Sequence, residues 1–328
     1  MINKDLKKKL AEINAIHKND LFILLNDPEG SNFGVERTSS GRLSIDLPFG
    51  GGTPNGRIIE LYGPESSGKT TIALHIASTF QKKQPKKLVA FLDYEHSFDK
   101  VYAEKLGVDI DNLVFAQPTH AEQGLQGVDD LLDTNDYSLI IIDSIAAMVP
   151  KKELEGDIGD SSIGVQARIM SQTLRKITGK ANTTKTTIIF TNQMREKIGV
   201  MFGSPWVTTG GNALKFYASI RVEVKRGPAN KDKEGNVTGN RGELYVVKNK
   251  TFPPYKRSSY DMEFGVGISE EGEILDYGVE SGIIKKAGSW FSYGDTKLGQ
   301  GRDGVKLLLA DNPELKEELS KKIREAVV

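Results

Sequence analysis

The chain contains no cysteine, only four scattered histidines, no long apolar run and no net charge. Without cysteine there are no disulfides, no thiolate metal sites and no cysteine nucleophile, and a reducing compartment suits such a composition. His17, His75, His96 and His120 lack ligand spacing, which argues against a structural zinc site. No apolar stretch approaches the ~20 residues of a membrane span, and the N-terminus has no apolar signal core. A soluble, cytoplasmic protein without a membrane partner is therefore expected. Lys plus Arg and Asp plus Glu both number 44, so any nucleic-acid surface must be a local concentration of basic side chains. Internal repeats and low-complexity tracts are also missing, which excludes a solenoid.

What is present is organised around residues 57–71. An apolar run, Arg57-Ile-Ile-Glu-Leu-Tyr62, ends in Gly63-Pro64-Glu65-Ser66-Ser67-Gly68-Lys69-Thr70-Thr71, and the helix-compatible run Ile72–Ala77 follows at once. This is G-x-x-x-x-G-K-T between a strand and a helix, the context a P-loop requires. Gly63 and Gly68 allow a nest of backbone N–H groups that cradles phosphates, reinforced by the positive end of the new helix. Lys69 would reach the β and γ phosphates, and the Thr70 hydroxyl would bind Mg²⁺.

At 328 residues, one large α/β domain with small appendages is expected rather than two equal halves. Residues 1–20 read as an amphipathic helix with Leu6, Leu10, Ile13 and Ile16 on one stripe, followed by a turn-rich linker over 26–32. The boundaries that follow are 1–34 for helix and linker, 35–268 for the ATPase core and 269–328 for a small C-terminal α/β domain. Three apolar runs have the character of buried parallel strands: Leu88–Asp93, Tyr137–Asp143 and Thr186–Thr191, the last continuing into Asn192-Gln193. Strands alternating with helical segments make a mostly parallel sheet covered on both faces. Ligands bind at the carboxyl ends of such strands, so Asp93, Glu95 and Asp99 sit where chemistry is done. ATP hydrolysis needs a base for water, a metal ligand and a γ-phosphate sensor, and Glu95, Asp143 and Gln193 are of those types.

Two glycine-bearing segments, 155–164 and 194–212, resist assignment to helix or strand. Their arginines, lysine, hydroxyls and aromatics suit a single-stranded nucleic-acid surface, where cations meet phosphates and bases stack on rings; a lid over the nucleotide is the alternative. Ile220, Val222 and Val224 alternate with charged residues and pair with 243–247 as an antiparallel hairpin, with Lys248-Asn249-Lys250 as a basic edge. The final helix is expected to be capped by Asn312 ahead of Pro313 and to bury Leu315, Leu319 and Ile323.

Together, Gly-Pro-Glu-Ser-Ser-Gly-Lys-Thr-Thr, the Leu106–Leu113 run, Met201-Phe-Gly, Gly210–Tyr217 and Val247-Lys-Asn-Lys250 make residues 35–328 resemble the bacterial RecA recombinases, cellular or phage-encoded. The resemblance implies a RecA-type P-loop NTPase core and a DNA-dependent ATPase that uses ATP and Mg²⁺. It also implies a homo-oligomeric helical filament on single-stranded DNA that pairs with homologous double-stranded DNA and exchanges strands. By position, Glu95 resembles the base that activates water, Tyr102 the residue that stacks on adenine and Gln193 the coupler of γ-phosphate to the second DNA loop. Asp99 falls in the same nucleotide-binding set. Lys248 and Lys250 resemble residues that reach ATP on the adjacent protomer. Arg168, Ser171, Arg175, Arg195, Lys197, Trp206, Gly210, Gly211 and Asn212 fall in the two DNA-binding loops, with Ile198 where an aliphatic wedge separates bases.

The sequence departs from that pattern in its first thirty-odd residues, in lacking an acidic tail, in Trp206-Val207 after the loop proline, and in Tyr245, where a basic residue of the second DNA site is usual; Lys225, Arg226 and Arg241 remain there. A ring helicase or motor on the same core, and a nucleotide-switched binding protein, are the alternatives from other classes.

Overall fold

A computed structural model describes residues 4–17, 22–24, 34–157, 164–196, 206–232 and 234–327. The chain divides into two units, Met1–Glu36 and Arg37–Val328. The first contains α1 (Lys4–His17), on which Leu6, Ile13 and Ile16 are exposed. Within it the Asn14 amide both accepts from and donates to the backbone of Phe22, at 2.8 Å each way.

The second unit opens with β1 (Arg37–Thr38) and β2 (Thr53–Pro54), paired around α2 (Leu43–Phe49). β3 (Ile58–Gly63) runs into the P-loop and α3 (Lys69–Lys83). There follow β4 (Leu88–Asp93), α4 (Lys100–Lys105), β5 (Leu113–Ala116), α5 (Ala121–Thr134) and β6 (Tyr137–Asp143). The chain then forms α6 (Lys151–Glu155), α7 (Val165–Thr184), β7 (Thr187–Glu196), β8 (Trp206–Thr208) and α8 (Ala213–Tyr217). Strands β9 (Ile220–Lys231), β10 (Val237–Asn249), β11 (Arg257–Glu263) and β12 (Gly267–Ile268) complete the core. The main sheet has the order β12-β11-β10-β9-β3-β7-β6-β4-β5, with β8 added to β7; it is parallel from β9 to β5 and antiparallel from β9 to β12.

Both faces of β3, β4, β6 and most of β7 are buried, which is why these strands read as unbroken apolar runs. Alternate residues point to opposite faces. Ile59, Leu61, Leu139 and Ile141 pack with Ile72, Ile76 and Phe80 of α3 on one side. Ile58, Ile140 and Ile142 pack with Leu125 of α5 and Leu174 and Ile177 of α7 on the other. Among the described residues no helix is long and apolar enough to cross a membrane.

Three sequence expectations are corrected. The β9–β10 pair is interior, because β9 also bonds to β3 and β10 to β11. The 194–212 segment contains paired strand at Met194–Glu196 and Trp206–Thr208, since β7 outruns its register with β3 at Gly63↔Gln193 and its last residues pair antiparallel with β8. Asn312 does not cap the final helix with its side chain, which instead donates to the Leu308 carbonyl at 2.7 Å and closes the preceding helix.

The C-terminal part comprises α9 (Glu270–Glu280), a small sheet of β13 (Ile284–Ala287), β14 (Trp290–Tyr293) and β15 (Thr296–Gln300), then α10 (Gly301–Asp311) and α11 (Pro313–Val327). Its apolar core includes Leu43 and Leu47 of α2. Two buried carboxylates fasten it to α2. Glu273 accepts the Leu43 and Ser44 N–H groups at 3.2 and 2.9 Å, and Asp46 accepts from Arg324 at 2.5 Å. Burial pushes the Glu273 carboxyl up to about 7 from 4.5, against the opposing pull of Ser44 and Arg42. The fold therefore favours the neutral acid, and the stability it contributes is present below the unfolded value and lost as pH rises through about 7. The melting temperature should consequently fall more between pH 5 and pH 8 in the parent than in Glu273→Gln, which cannot ionise; identical pH slopes would count against this.

Candidate nucleotide and DNA site

The carboxyl ends of β3, β7, β6 and β4 bring the P-loop, Gln193, Asp143 and Glu95 to one cleft of about 520 Å³. The loop's shape follows from its glycines. A Cβ on Gly63 would lie 2.2 Å from the Val224 carbonyl oxygen of β9, so that position admits no side chain. Gly68 has φ +92°, and a Cβ there would meet Met262 at 2.8 Å. Pro64, Glu65, Ser66 and Ser67 span the turn between them, with Ser66 also left-handed at φ 55°.

Lys69 is buried and donates across its own loop to the Pro64 and Gly63 carbonyls at 2.8 and 3.3 Å. Desolvation lowers its pKa, while Asp143, Glu95 and Glu65 pull the other way and favour the ammonium. Asp143 accepts from Thr70 Oγ1 at 2.6 Å and Thr191 Oγ1 at 2.5 Å; burial raises its pKa and the two hydroxyls counter that. Glu95 accepts from the Ser144 hydroxyl and from Gln193 Nε2 at 3.2 Å. Tyr102 meets Thr71 Oγ1 at 3.1 Å on the cleft wall.

Of the other strand-end acids, Asp93 is consumed by structure, accepting from the Ser97 and Phe98 N–H groups and from Gln117. Asp99 caps α4 by accepting Tyr102 N–H at 3.0 Å and does not line the cleft. Sequence reasoning missed Ser144 and Thr191, which hold the Glu95 and Asp143 carboxylates, and the far wall of Met262–Gly265 with Arg226 and Asn240. Ser144 was findable as the neighbour of Asp143. The far wall carries no motif.

The DNA-loop candidates gather on the α7 side. Arg168, Ser171 and Arg175 share one face of α7, both arginines exposed, while Met170, Leu174 and Ile177 are buried. Arg195 and Trp206 are exposed on the β7–β8 ladder. Gly210 and Gly211 have φ +76° and +79°, and a Cβ on them would strike Ile145 at 2.6 Å and Ala167 at 2.7 Å, so this loop seats against the first turn of α7. Asn212 follows at the start of α8. Lys197 and Ile198 lie outside the described residues.

A buried polar chain runs from this loop into the sheet. Thr209 Oγ1 donates to Asn192 Oδ1 at 2.6 Å, and Asn192 Nδ2 donates to Glu60 at 3.0 Å. Glu60 also takes Arg221 Nε at 2.5 Å. Asn192 precedes Gln193, the partner of Glu95.

Lys248 and Lys250 do not line the cleft of their own chain. Lys248 Nζ donates to the Lys215 and Phe216 carbonyls at 2.6 and 3.0 Å, and Lys250 Nζ to Phe216 at 3.1 Å, at the negative end of α8. Burial, with Lys250 and Arg221 nearby, pushes Lys248 down to about 8. At the residues named for a second DNA site, Arg241 is ion-paired to Asp261 and Asp276 at 3.0 and 2.8 Å. Tyr245 lies beneath the Arg257 guanidinium, 3.9 Å from its ring centroid.

The close approach at Gly63 yields a sharp expectation. Gly63→Ala should lose nucleotide binding and lower stability by about 1–3 kcal/mol, the usual cost of overpacking; a variant that melts and binds as the parent does would refute the packing argument.

Residues 4–269 match the RecA N-terminal domain and residues 272–328 the RecA C-terminal domain. Protein RecA of Cytophaga hutchinsonii is 55% identical over 290 residues, 88% of this chain and 81% of that protein. Protein RecA of Bacteroides thetaiotaomicron is 54% identical over 294 residues, covering 89% and 88% of the two chains. Among solved structures, the RadB recombinase superposes with a TM-score of 0.53 over 70% of this chain and 98% of that one; at 20% identity it speaks to the fold alone. The chain belongs to the RecA family, the DNA-dependent ATPases of homologous recombination.

Proposed function

We propose that the cleft holds ATP on the 63–71 loop, with Lys69 neutralising the phosphates, and that Glu95 accepts the proton of the attacking water. The observation that carries this reading is the contact of Gln193 with Glu95 on one side of β7 while the adjacent Asn192 anchors Thr209 on the other. One short strand end thereby touches both the base and the DNA loop, which suits hydrolysis stimulated by DNA. Thr70 and Asp143 present hard oxygen donors 2.6 Å apart, a set that fits Mg²⁺, which when bound would neutralise phosphate charge. Ser144 and Gln193 hold the Glu95 carboxylate in place for its proton.

Residues 1–34, 35–268 and 269–328 would act as a docking helix, the ATPase core and an accessory domain, in a cytoplasmic helical filament that binds single-stranded DNA and then homologous duplex. The α7 arginines, Arg195 and Lys197 would meet phosphates, with Trp206 and Ile198 against bases. Lys248 and Lys250, gathered at the end of α8, would reach the nucleotide of the next protomer.

Glu95→Gln should bind ATP and DNA as the parent does while turnover falls by about 10²–10⁴-fold, because the amide keeps the shape and cannot take a proton; parental turnover would remove Glu95 from the base role. The shared site is tested by mixing. Lys69→Ala protein, expected inactive alone, and Lys248→Ala protein, expected lowered alone, should recover part of the DNA-dependent ATPase when co-assembled, since some junctions then pair an intact loop with intact lysines. No recovery in filaments shown to be mixed would place the lysines' role within one chain.

A further inference from the structure

The cleft wall opposite the P-loop is the turn between β11 and β12, where Met262, Glu263, Phe264 and Gly265 face the nucleotide loop. The ATPase core holds it from one side. Met262 packs on Gly68, and His75 of α3 accepts the Ile268 N–H at 3.0 Å while Gly267 leaves room for the same imidazole. The other side is held by the C-terminal domain. Lys306 of α10 forms an ion pair with Glu263, both side chains half-buried. One helical turn earlier, Arg302 grips Asp261 with Nη2 at 2.6 Å and Nε at 3.1 Å, and Asp276 with Nη2 at 3.0 Å.

The match is geometric. Four residues of helix rise about 6 Å, and two residues of strand rise about 6.6 Å and return to the same face. Arg302 and Lys306 on α10 thus face Asp261 and Glu263 on β11 as two bases against two acids. Arg302 is the fixed rivet, since Asp261 is buried and shared with Arg241. Lys306 is the contact that reaches the cleft rim.

We infer that Lys306 is a positioning residue for nucleotide binding, holding Glu263 and the 262–265 turn so that the C-terminal domain completes the nucleotide site. The inference rests on the cleft being the nucleotide site. Its chemistry is simple: the cleft collects a polyanion, and a rim carboxylate without its cation repels that polyanion and is free to draw the turn toward water. The effect must be screened by salt, because the pair is partly solvated.

The test is titration of the full-length protein with a fluorescent ATP analogue at low and at physiological salt. Lys306→Gln should weaken binding about two- to fivefold at low salt, the range an exposed to half-buried pair supports, and less at higher salt. Lys306→Arg should restore parental affinity. In Glu263→Gln/Lys306→Gln the loss should vanish relative to Glu263→Gln alone, because no rim charge is left to repel the phosphates. A purely structural lysine would lower the melting temperature and leave affinity untouched; that result overturns the inference, as does a double variant as weak as Lys306→Gln. The parent's own binding of the analogue reads the nucleotide assignment, and the differences among variants read the Lys306 contact.

Discussion

Asp143 is a carboxylate buried at the junction of three elements, and the site depends on how it is satisfied. Thr70 at the start of α3 and Thr191 on β7 each give it a hydroxyl, its backbone carbonyl accepts Tyr94 N–H from the end of β4, and Lys69 supplies the nearest positive field. Burying such a group without partners would cost several kcal/mol. Because the partners come from different strands and the P-loop helix, satisfying it fixes their mutual placement. The P-loop, the Thr70 and Asp143 oxygens and the strand end leading to Glu95 are thereby set by one electrostatic requirement.

The same economy appears on the neighbouring strands. Glu60, fully buried, sits between Arg221 on β9 and Asn192 on β7, and through Asn192 it reaches Thr209 beside Gly210. Parallel neighbours hold these residues in register, with Asn192 directly ahead of Gln193, the partner of Glu95. Lys248 and Lys250 lie at the end of α8, whose start follows Gly210-Gly211-Asn212, so a short helix separates that loop from the two lysines.

The C-terminal domain is fastened to the core by charge as well as by apolar packing. Asp46, paired with Arg324, is buried at α2, and Asp261 and Glu263 face Arg302 and Lys306 of α10. Removing one partner of such a pair strands the other in a poor solvent, which makes the joint specific even where its net contribution to stability is small.

How much of this could be read from the chain follows from where the information lies. The strand–glycine loop–helix unit, the apolar runs of the buried strands and the alternating hairpin were legible, because periodicity and glycine chemistry are local and sheet burial imposes them on short stretches. The residue types at the strand ends were legible too, though not their division of labour: Asp93 and Asp99 are spent on backbone N–H groups, whereas Glu95 and Asp143 line the cleft. Arg241, read only as one of the basic residues remaining at a second DNA site, is ion-paired to Asp261 and Asp276, and the β9–β10 hairpin proved interior. Glu60 with Arg221, Glu273 with α2, and the far wall at Met262–Gly265 depend on partners more than 150 residues away. Composition alone thus determined the chemistry available, and local pattern determined the elements. Only the tertiary structure decided which buried charges meet, because strand register and helix docking, set by the whole core, choose among partners that the linear order leaves equivalent.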